Sequence, residues 1–373
     1  MDYDVIVVGA GIGGAAAAYY LGEAGYRVLV LEKERLPRYK PCGGGVPGSI
    51  FGYFPFPLDE AIEAKVARIR YSYRGEEEVT VPLPDEAIFM VMRDKFDALV
   101  LEQARCEVRE ATAVTEIVEG QDSVVVSTKD GQEFRGRYLI GADGANSITA
   151  RELGLRRDKV MGAAIEAEVP LSPIADWAQT ALFEFGALRY GYLWIFPKRE
   201  HLSVGIGSFR KRKEKLRDIL RQEMAKFGIS LDGVTLHGHP LPIYLRSDRL
   251  HTARSLLVGD AAGLMDPLSG EGIRYAVKSA RLAADAIIQG ELDKYTEWVQ
   301  REIGANLSRA RWLVALFYGL QRLCFQFAAP NPKVTRLLAK ILNDQATYAD
   351  LSRRIVPYFL RNLGELGGTQ GNC

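Results

Sequence analysis

The chain has 373 residues, 47% of them hydrophobic and 25% charged, a composition that excludes disordered and fibrous classes and allows roughly two or three globular domains. Its 48 Lys and Arg against 47 Asp and Glu leave a formal charge of +1, so the basic excess that nucleic-acid binding needs is missing. Glycine is the one unusual count: 37 residues, where ordinary usage of about 7% gives roughly 26. The surplus points to places where the backbone must come close to something.

Val5–Val8 is a β-branched run of the kind that forms a strand buried on both faces of a parallel sheet. Gly9-Ala10-Gly11-Ile12-Gly13-Gly14 follows as GxGxxG, and Ala15–Leu21 reads as helix. A second apolar run, Val28–Leu31, ends in Glu32. The bare glycine pattern is weak in a glycine-rich chain, but strand, glycine turn, helix, strand and acid in that order define a dinucleotide-binding unit. Its amides meet a pyrophosphate, and Glu32 is placed to accept from the adenosine ribose. Val5 to Gly22 is an 18-residue uncharged run, yet Asp2 and Asp4 precede it where a signal peptide carries positive charge.

Two later segments bear on which dinucleotide is bound. Tyr138–Ser147 is an apolar strand entering an Asp143-Gly144 turn, and Ser255–Ala262 is a strand entering Gly259-Asp260, continuing through Gly270-Glu271-Gly272-Ile273. Acids at strand ends accept from ribityl hydroxyls, and glycines leading into a helix let amides approach a flavin edge. Together with the first motif, these segments resemble the FAD-binding fold of the aromatic hydroxylases and their relatives. No second GxGxxG follows a strand, so no separate NAD domain is expected. Lys40-Pro41-Cys42-Gly43-Gly44-Gly45-Val46, Pro240-Leu241-Pro242, Pro267–Ile273 and Tyr192-Leu193-Trp194-Ile195-Phe196-Pro197 are similar, more narrowly, to the geranylgeranyl reductase family, which saturates isoprenoid double bonds. The family's PxxYxWxFP box is intact except for Arg189 in place of its first Pro, a departure that bears on substrate more than on fold.

The resemblance implies an α/β chain with FAD as cofactor. Its Rossmann-like FAD-binding domain would comprise residues 1–75, 90–158 and 248–290. An inserted antiparallel-sheet substrate domain (α+β) would comprise 76–89 and 159–247, and a helical segment 291–373. It places Gly9, Gly11, Gly14 and Glu32 at the ADP end, Arg93 near the flavin chain, Asp260 at ribityl, and Cys42, Gly43, Gly45, Ala113, Gly272 and Ile273 against the flavin, with Gly13, Lys33 and Asp143 as further cofactor-binding residues. The substrate is an isoprenoid or prenylated lipid, and the electron donor NADPH or ferredoxin. Rivals on the same frame are a flavin-dependent monooxygenase and a halogenase, whose WxWxIP box is only partly echoed.

Strand-like stretches between the flavin segments carry many aromatics. In the run from Tyr190, a period of two puts Tyr190, Tyr192, Trp194 and Phe196 on one face, with Pro197 ending the box. That face is either plain core or, as the resemblance implies, the substrate wall. Cys42 is either a small buried hydrophobe or a thiol beside the flavin. Alkene reduction needs a hydride from reduced flavin and a proton, and Cys42 and Tyr192 are the candidate proton donors. His237 and His239 share a strand face without a carboxylate at ligand spacing, so an ordinary surface strand is expected and no metal site.

Arg210–Lys215 opens a helix running to about Phe227; it reads as a solvated face or as attraction to a diphosphate or anionic lipid. Helical spacing then runs from about Lys294 to Asn362. Its uncharged stretch Trp312–Gln321 is ten residues, too short to span a bilayer, and would cap a substrate tunnel, pack on the flavin domain or rest on a membrane surface. Cys42, Cys106, Cys324 and Cys373 show neither disulfide nor zinc spacing, which fits a reducing cytoplasm, with peripheral membrane contact left open. Residues 367–373 read as a disordered end without a prenylation box.

Overall fold

A computed structural model describes residues 2–84, 87–156, 160–171, 177–210, 215–246, 248–328, 331–354 and 357. The end segment 367–373 and most of the basic run, 211–214, lie outside these residues. The N-terminal run forms the strand Tyr3–Val8, paired in parallel with Val28–Leu31 on one side and Glu133–Gly141 on the other. Cys106–Arg109 extends the sheet beyond Val28–Leu31, and Ser255–Leu257 pairs in parallel with the end of Glu133–Gly141. The antiparallel strands Val124–Thr128 and Val114–Glu119 complete seven. Val5, Ile6 and Val7 are fully buried, as two-sided coverage of a parallel strand requires.

One face of this sheet carries the helices Ile12–Glu23 and Ile273–Gln289. Their contact depends on small side chains: Ala15 to Ala18 are fully buried, and a Cβ added at Gly13 would lie 3.5 Å from the Cβ of Ala276. The tightest approach is at Gly14, whose added Cβ would meet the Gly9 carbonyl oxygen at 1.9 Å.

The second sheet also has seven strands, in the order His237–Ile243, Val160–Pro170, His201–Ser208, Gly191–Pro197, Thr180–Phe185, Arg68–Tyr73 and Glu77–Pro82. It is mixed rather than antiparallel throughout, because Thr180–Phe185 pairs in parallel with Arg68–Tyr73. The boundary expected between residues 75 and 76 cuts the hairpin joining Arg68–Tyr73 to Glu77–Pro82, so the chain enters this sheet earlier than the sequence pattern placed it. Helix Leu216–Lys226 covers the back of the sheet through Leu216, Leu220 and Met224. Three short strands, Gly45–Pro47, Ile62–Lys65 and Ile88–Val91, form a third sheet.

The C-terminal helical region divides into Tyr295–Val299, a π-turn at Gln300–Gly304, Ala305–Gly319, Gln321–Ala328 and Pro332–Leu342. Arg274, 1% exposed, fastens it to the loop that precedes helix Ile273–Gln289. The guanidinium donates to both Glu271 carboxylate oxygens at 2.9 Å and to the Ile341 carbonyl at 3.1 Å, and it pairs with Asp344. Asn343 adds side-chain bonds to the Ser49 N–H and the Ala87 carbonyl. No helix among the described residues is long and apolar enough to cross a membrane. Removing one member of a buried ion pair strands the others, so Arg274→Ala is expected to cost about 3 kcal/mol, measured by urea denaturation, and to raise proteolysis at the C-terminal helices.

Candidate active site

A cavity of about 410 Å³ runs between the two large sheets and the C-terminal helices. At one end it meets the start of helix Ile12–Glu23, where no side chain among the described residues caps the helix and the first turn holds no acid. These free amides form an anion site. Three cations surround it: a Cβ added at Gly11 would lie 3.3 Å from Arg38 Nη2 and 4.0 Å from Arg93 Nη2, and Lys40 lines the wall. Arg93 is fixed by a two-pronged bond to Asp97, both contacts at 2.8 Å. Burial and the neighbouring Arg93 hold the Lys40 ammonium below its usual range, as crowded cations awaiting a counter-charge should be.

Glu32 ends the second strand as expected. Its Oε2 accepts from the Ala10 N–H at 2.8 Å and lies 3.3 Å from Arg38, while Oε1 accepts from the Glu34 N–H. Two carboxylate oxygens retain lone pairs for a ribose beyond these bonds. Ala113 follows Thr112, whose N–H donates to the Glu32 carbonyl; Lys33 is exposed beside it. Gly11 and Gly13 line the cavity, whereas Gly9, Gly14, Glu32, Lys33 and Ala113 do not.

Further along, Lys40 Nζ stands 3.6 Å from Asp260 Oδ2. Burial alone would raise the Asp260 carboxyl, but Lys40, His239 and Arg93 outweigh it and hold the group below its ordinary range. Asp143 differs from expectation: its carboxylate accepts from Ser147 Oγ and from the Thr149 N–H and hydroxyl, so it shapes the start of helix Ile148–Glu152, and Ala142 and Gly144 line the cavity instead. Cys42, Gly43, Gly45, Gly272 and Ile273 all line the cavity. Cys42 Sγ accepts from the Gly44 N–H at 3.4 Å. Lys198, which the sequence pattern did not flag, donates to the carbonyls of Gly43 and Val91, both at 2.8 Å, and pins this loop. Burial draws its ammonium down to about 8.

Tyr192, Trp194 and Phe196 line the next stretch, joined by Phe183 and Phe209. Opposite Trp194 stands Gly205, where an added Cβ would meet the indole Cζ2 at 2.1 Å, so the missing side chain is the seat of the ring. Tyr190 and Pro197 do not line the cavity. At Gly191 (φ 153°) an added Cβ would meet the Gly207 carbonyl oxygen at 2.0 Å; the strand begins there, and Tyr190 packs instead on Tyr318 and under the Arg210 guanidinium. Pro197 has the opposite parity to Phe196. Tyr192 is committed as a donor to the Ser269 carbonyl, and burial holds its phenol well above the usual range, which removes it as a ready proton source. His237 and His239 are not on a plain surface strand: both line the cavity, and burial lowers His239 to about 4. No cluster of three metal-ligating side chains occurs among the described residues. Beyond the aromatics the walls turn aliphatic, with Leu313, Leu316, Leu338, Ile341 and Leu342 from the C-terminal helices.

An uncapped helix start ringed by cations, an acid at the second strand end and a glycine-lined, partly polar trough fit the diphosphate, ribose and ring of one flavin dinucleotide. The comparisons agree. Residues 58–291 match the FAD binding domain family and residues 4–44 the FAD dependent oxidoreductase family. The chain is an oxidoreductase with FAD as its cofactor. It is 31% identical to digeranylgeranylglycerophospholipid reductase 2 of Methanothermobacter thermautotrophicus, over 83% of this chain and 86% of that one. An uncharacterized protein of Methanosarcina barkeri is 34% identical over 87% of this chain and 86% of its own. The crystal structure of a geranylgeranyl bacteriochlorophyll reductase-like protein of Thermoplasma acidophilum superposes with a TM-score of 0.77 at 22% identity, covering 98% of this chain and 99% of that one. The chain belongs to the geranylgeranyl reductase family.

Two outcomes test this geometry. Gly205→Ala should force Trp194 from its seat at a cost of about 1–3 kcal/mol, read as a shift in tryptophan emission and a loss of stability. Lys198 predicts a pH effect. With its pKa lowered to about 8 in the native state and about 10.4 when unfolded, the unfolded chain binds the extra proton between those values. Its contribution to stability therefore rises with pH across that window. Lys198→Met should flatten this part of the pH profile of the denaturation midpoint.

Proposed function

We propose that this chain saturates carbon–carbon double bonds of an isoprenoid chain of geranylgeranyl type, borne by a diphosphate or a lipid. The observation that carries the reading is the continuity of the cavity. One space passes from the glycine-rich flavin trough, beneath Tyr192, Trp194 and Phe196, into an aliphatic extension walled by the C-terminal helices. A long hydrocarbon with few polar handles suits such a wall. The names of the relatives support the same chemistry.

Bound FAD, once reduced, supplies the hydride; the residues described here orient the alkene and exclude water. Phe183, Tyr192 and Phe196 pack edge to face at centroid separations of 5.1 to 5.3 Å, a stiff apolar surface for a planar double bond. Within this reading Arg93, Asp260, Cys42, Gly43, Gly45, Gly272 and Ile273 hold the cofactor, and Tyr192, Trp194 and Phe196 the substrate. NADPH or a ferredoxin-type carrier supplies the electrons. Trp312, 54% exposed on helix Ala305–Gly319 beside Arg309 and Arg311, supports peripheral contact of a cytoplasmic protein with a membrane.

The test is anaerobic. Mixing the reduced holoenzyme with geranylgeranyl diphosphate should reoxidise the flavin and add two hydrogens per turnover, read by absorbance and mass spectrometry. Oxygen-dependent hydroxylation or halogenation with no hydrogenated product would overturn the reading. Leu338→Trp, narrowing the aliphatic end, should raise KM for geranylgeranyl substrates about tenfold while leaving geranyl substrates little affected.

A further inference from the structure

The reductive step needs a proton as well as a hydride, and neither side chain singled out by the sequence is well set to give it. Tyr192 is committed to Ser269, and the Cys42 sulfur accepts from the Gly44 N–H of its own loop. A third group lines the same cavity. Glu166 lies on strand Val160–Pro170 with its side chain on the cavity face, while its neighbours Ile165 and Ala167 pack into the core behind the sheet. It is 4% exposed, and its Oε2 has no hydrogen-bond partner among the described residues. Its Oε1 accepts from the Tyr39 hydroxyl at 2.8 Å.

Tyr39 is 41% exposed, the most solvent-accessible member of the group, and its ring rests against His237 at a centroid distance of 4.7 Å. Glu166 pairs across the sheet with His237, which fixes the carboxyl beside that contact. The arrangement links an exposed tyrosine to the cavity wall: the Tyr39 hydroxyl, the Glu166 carboxyl it bonds, and an unpartnered oxygen buried within that wall.

We propose that Glu166 delivers the proton of the reduction and that Tyr39 reloads it. The inference rests on the reductase reading above. In the step, the carboxyl O–H bond breaks and its proton forms a C–H bond with the alkene π pair. The other alkene carbon takes the hydride, with its electron pair, supplied by reduced flavin. Glu166 is left as carboxylate. It regains a proton from solvent through the Tyr39 hydroxyl in one concerted exchange: burial and Glu166 hold that phenol well above its usual range, so it passes its proton to the carboxylate only as a solvent proton replaces it, and no further oxidant or reductant is needed.

The surroundings suit a protonated acid. Burial raises the Glu166 carboxyl; Tyr39, the Cys42 amide and Lys198 pull it down without overcoming that, and Glu168 on the same strand pushes it up. His237 faces it from the adjoining strand. A raised pKa keeps the donor form present to higher pH, and hydrogen transfer falls as pH rises through it.

The experiment uses the FAD-loaded full chain. Infrared difference spectra of the wild type across pH should show the carbonyl band of a buried protonated acid, absent from Glu166→Gln. In anaerobic single turnover with geranylgeranyl diphosphate, Glu166→Gln should slow hydrogen transfer about a hundredfold or more and lose the fall at high pH. Its FAD affinity, melting temperature and substrate Kd should stay unchanged. Glu166→Asp should recover part of the rate, and Tyr39→Phe should leave the first turnover intact but slow later ones. An equally fast Glu166→Gln with the wild-type pH profile, or the same infrared band in that variant, would overturn the proposal alone. A wild type that transfers no hydrogen to any prenyl chain would remove the reductase reading and the proposal with it.

Discussion

The first helix can start where it does because Gly14 brings no side chain against the carbonyl of Gly9. That contact fixes the angle at which helix Ile12–Glu23 leaves the first strand, and hence where its free amides point. The alanine row behind it lets helix Ile273–Gln289 lie close by, so that Gly272 and Ile273, at the other helix start, open onto the same space. Two helix N-termini reach one cavity because neither helix carries bulk where they meet. Side chains there would move the anion site away from the trough that continues it.

The cavity walls differ in polarity from one set of elements to the next. At the helix start the walls are cationic, then mixed around Lys40 and Asp260, then backbone and sulfur at Cys42–Gly45, then aromatic, then aliphatic. Near the middle of the cavity, charge is confined to groups fastened from behind. Lys198 donates to two carbonyls, and Glu166 is bonded to Tyr39, so each is buried with a defined orientation.

Much of this was legible in the chain. The dinucleotide unit could be read because glycine spacing, strand and acid lie within some thirty residues and each has a local physical cause. Tyr192, Trp194 and Phe196 followed from a period of two, which a strand enforces. Tyr190 and Pro197 did not: Gly191 changes the backbone at one end, and parity turns Pro197 to the other face. Asp143 looked like a cofactor acid but serves its own turn, a choice made by Ser147 and Thr149 a few residues on. Glu166, Lys198 and Tyr39 gave no signal, and the two histidines, legible only as sharing a strand face, gave none that put them at the cavity, because their meeting depends on pairing between strands far apart in sequence. The first domain boundary was misplaced for the same reason: a hairpin cannot be assigned to a sheet until its long-range partner is known.

Arg274 joins two parts of the molecule that face different ends of the ligand space. One side of its guanidinium orders Glu271 in the loop that opens onto the flavin trough, and the other holds Ile341 and Asp344 at the end of a helix that walls the aliphatic extension. The two walls are therefore mechanically in series. On the proposed reading, a hydrocarbon tail pressing the far helix outward would strain the same cation that orders the loop before helix Ile273–Gln289.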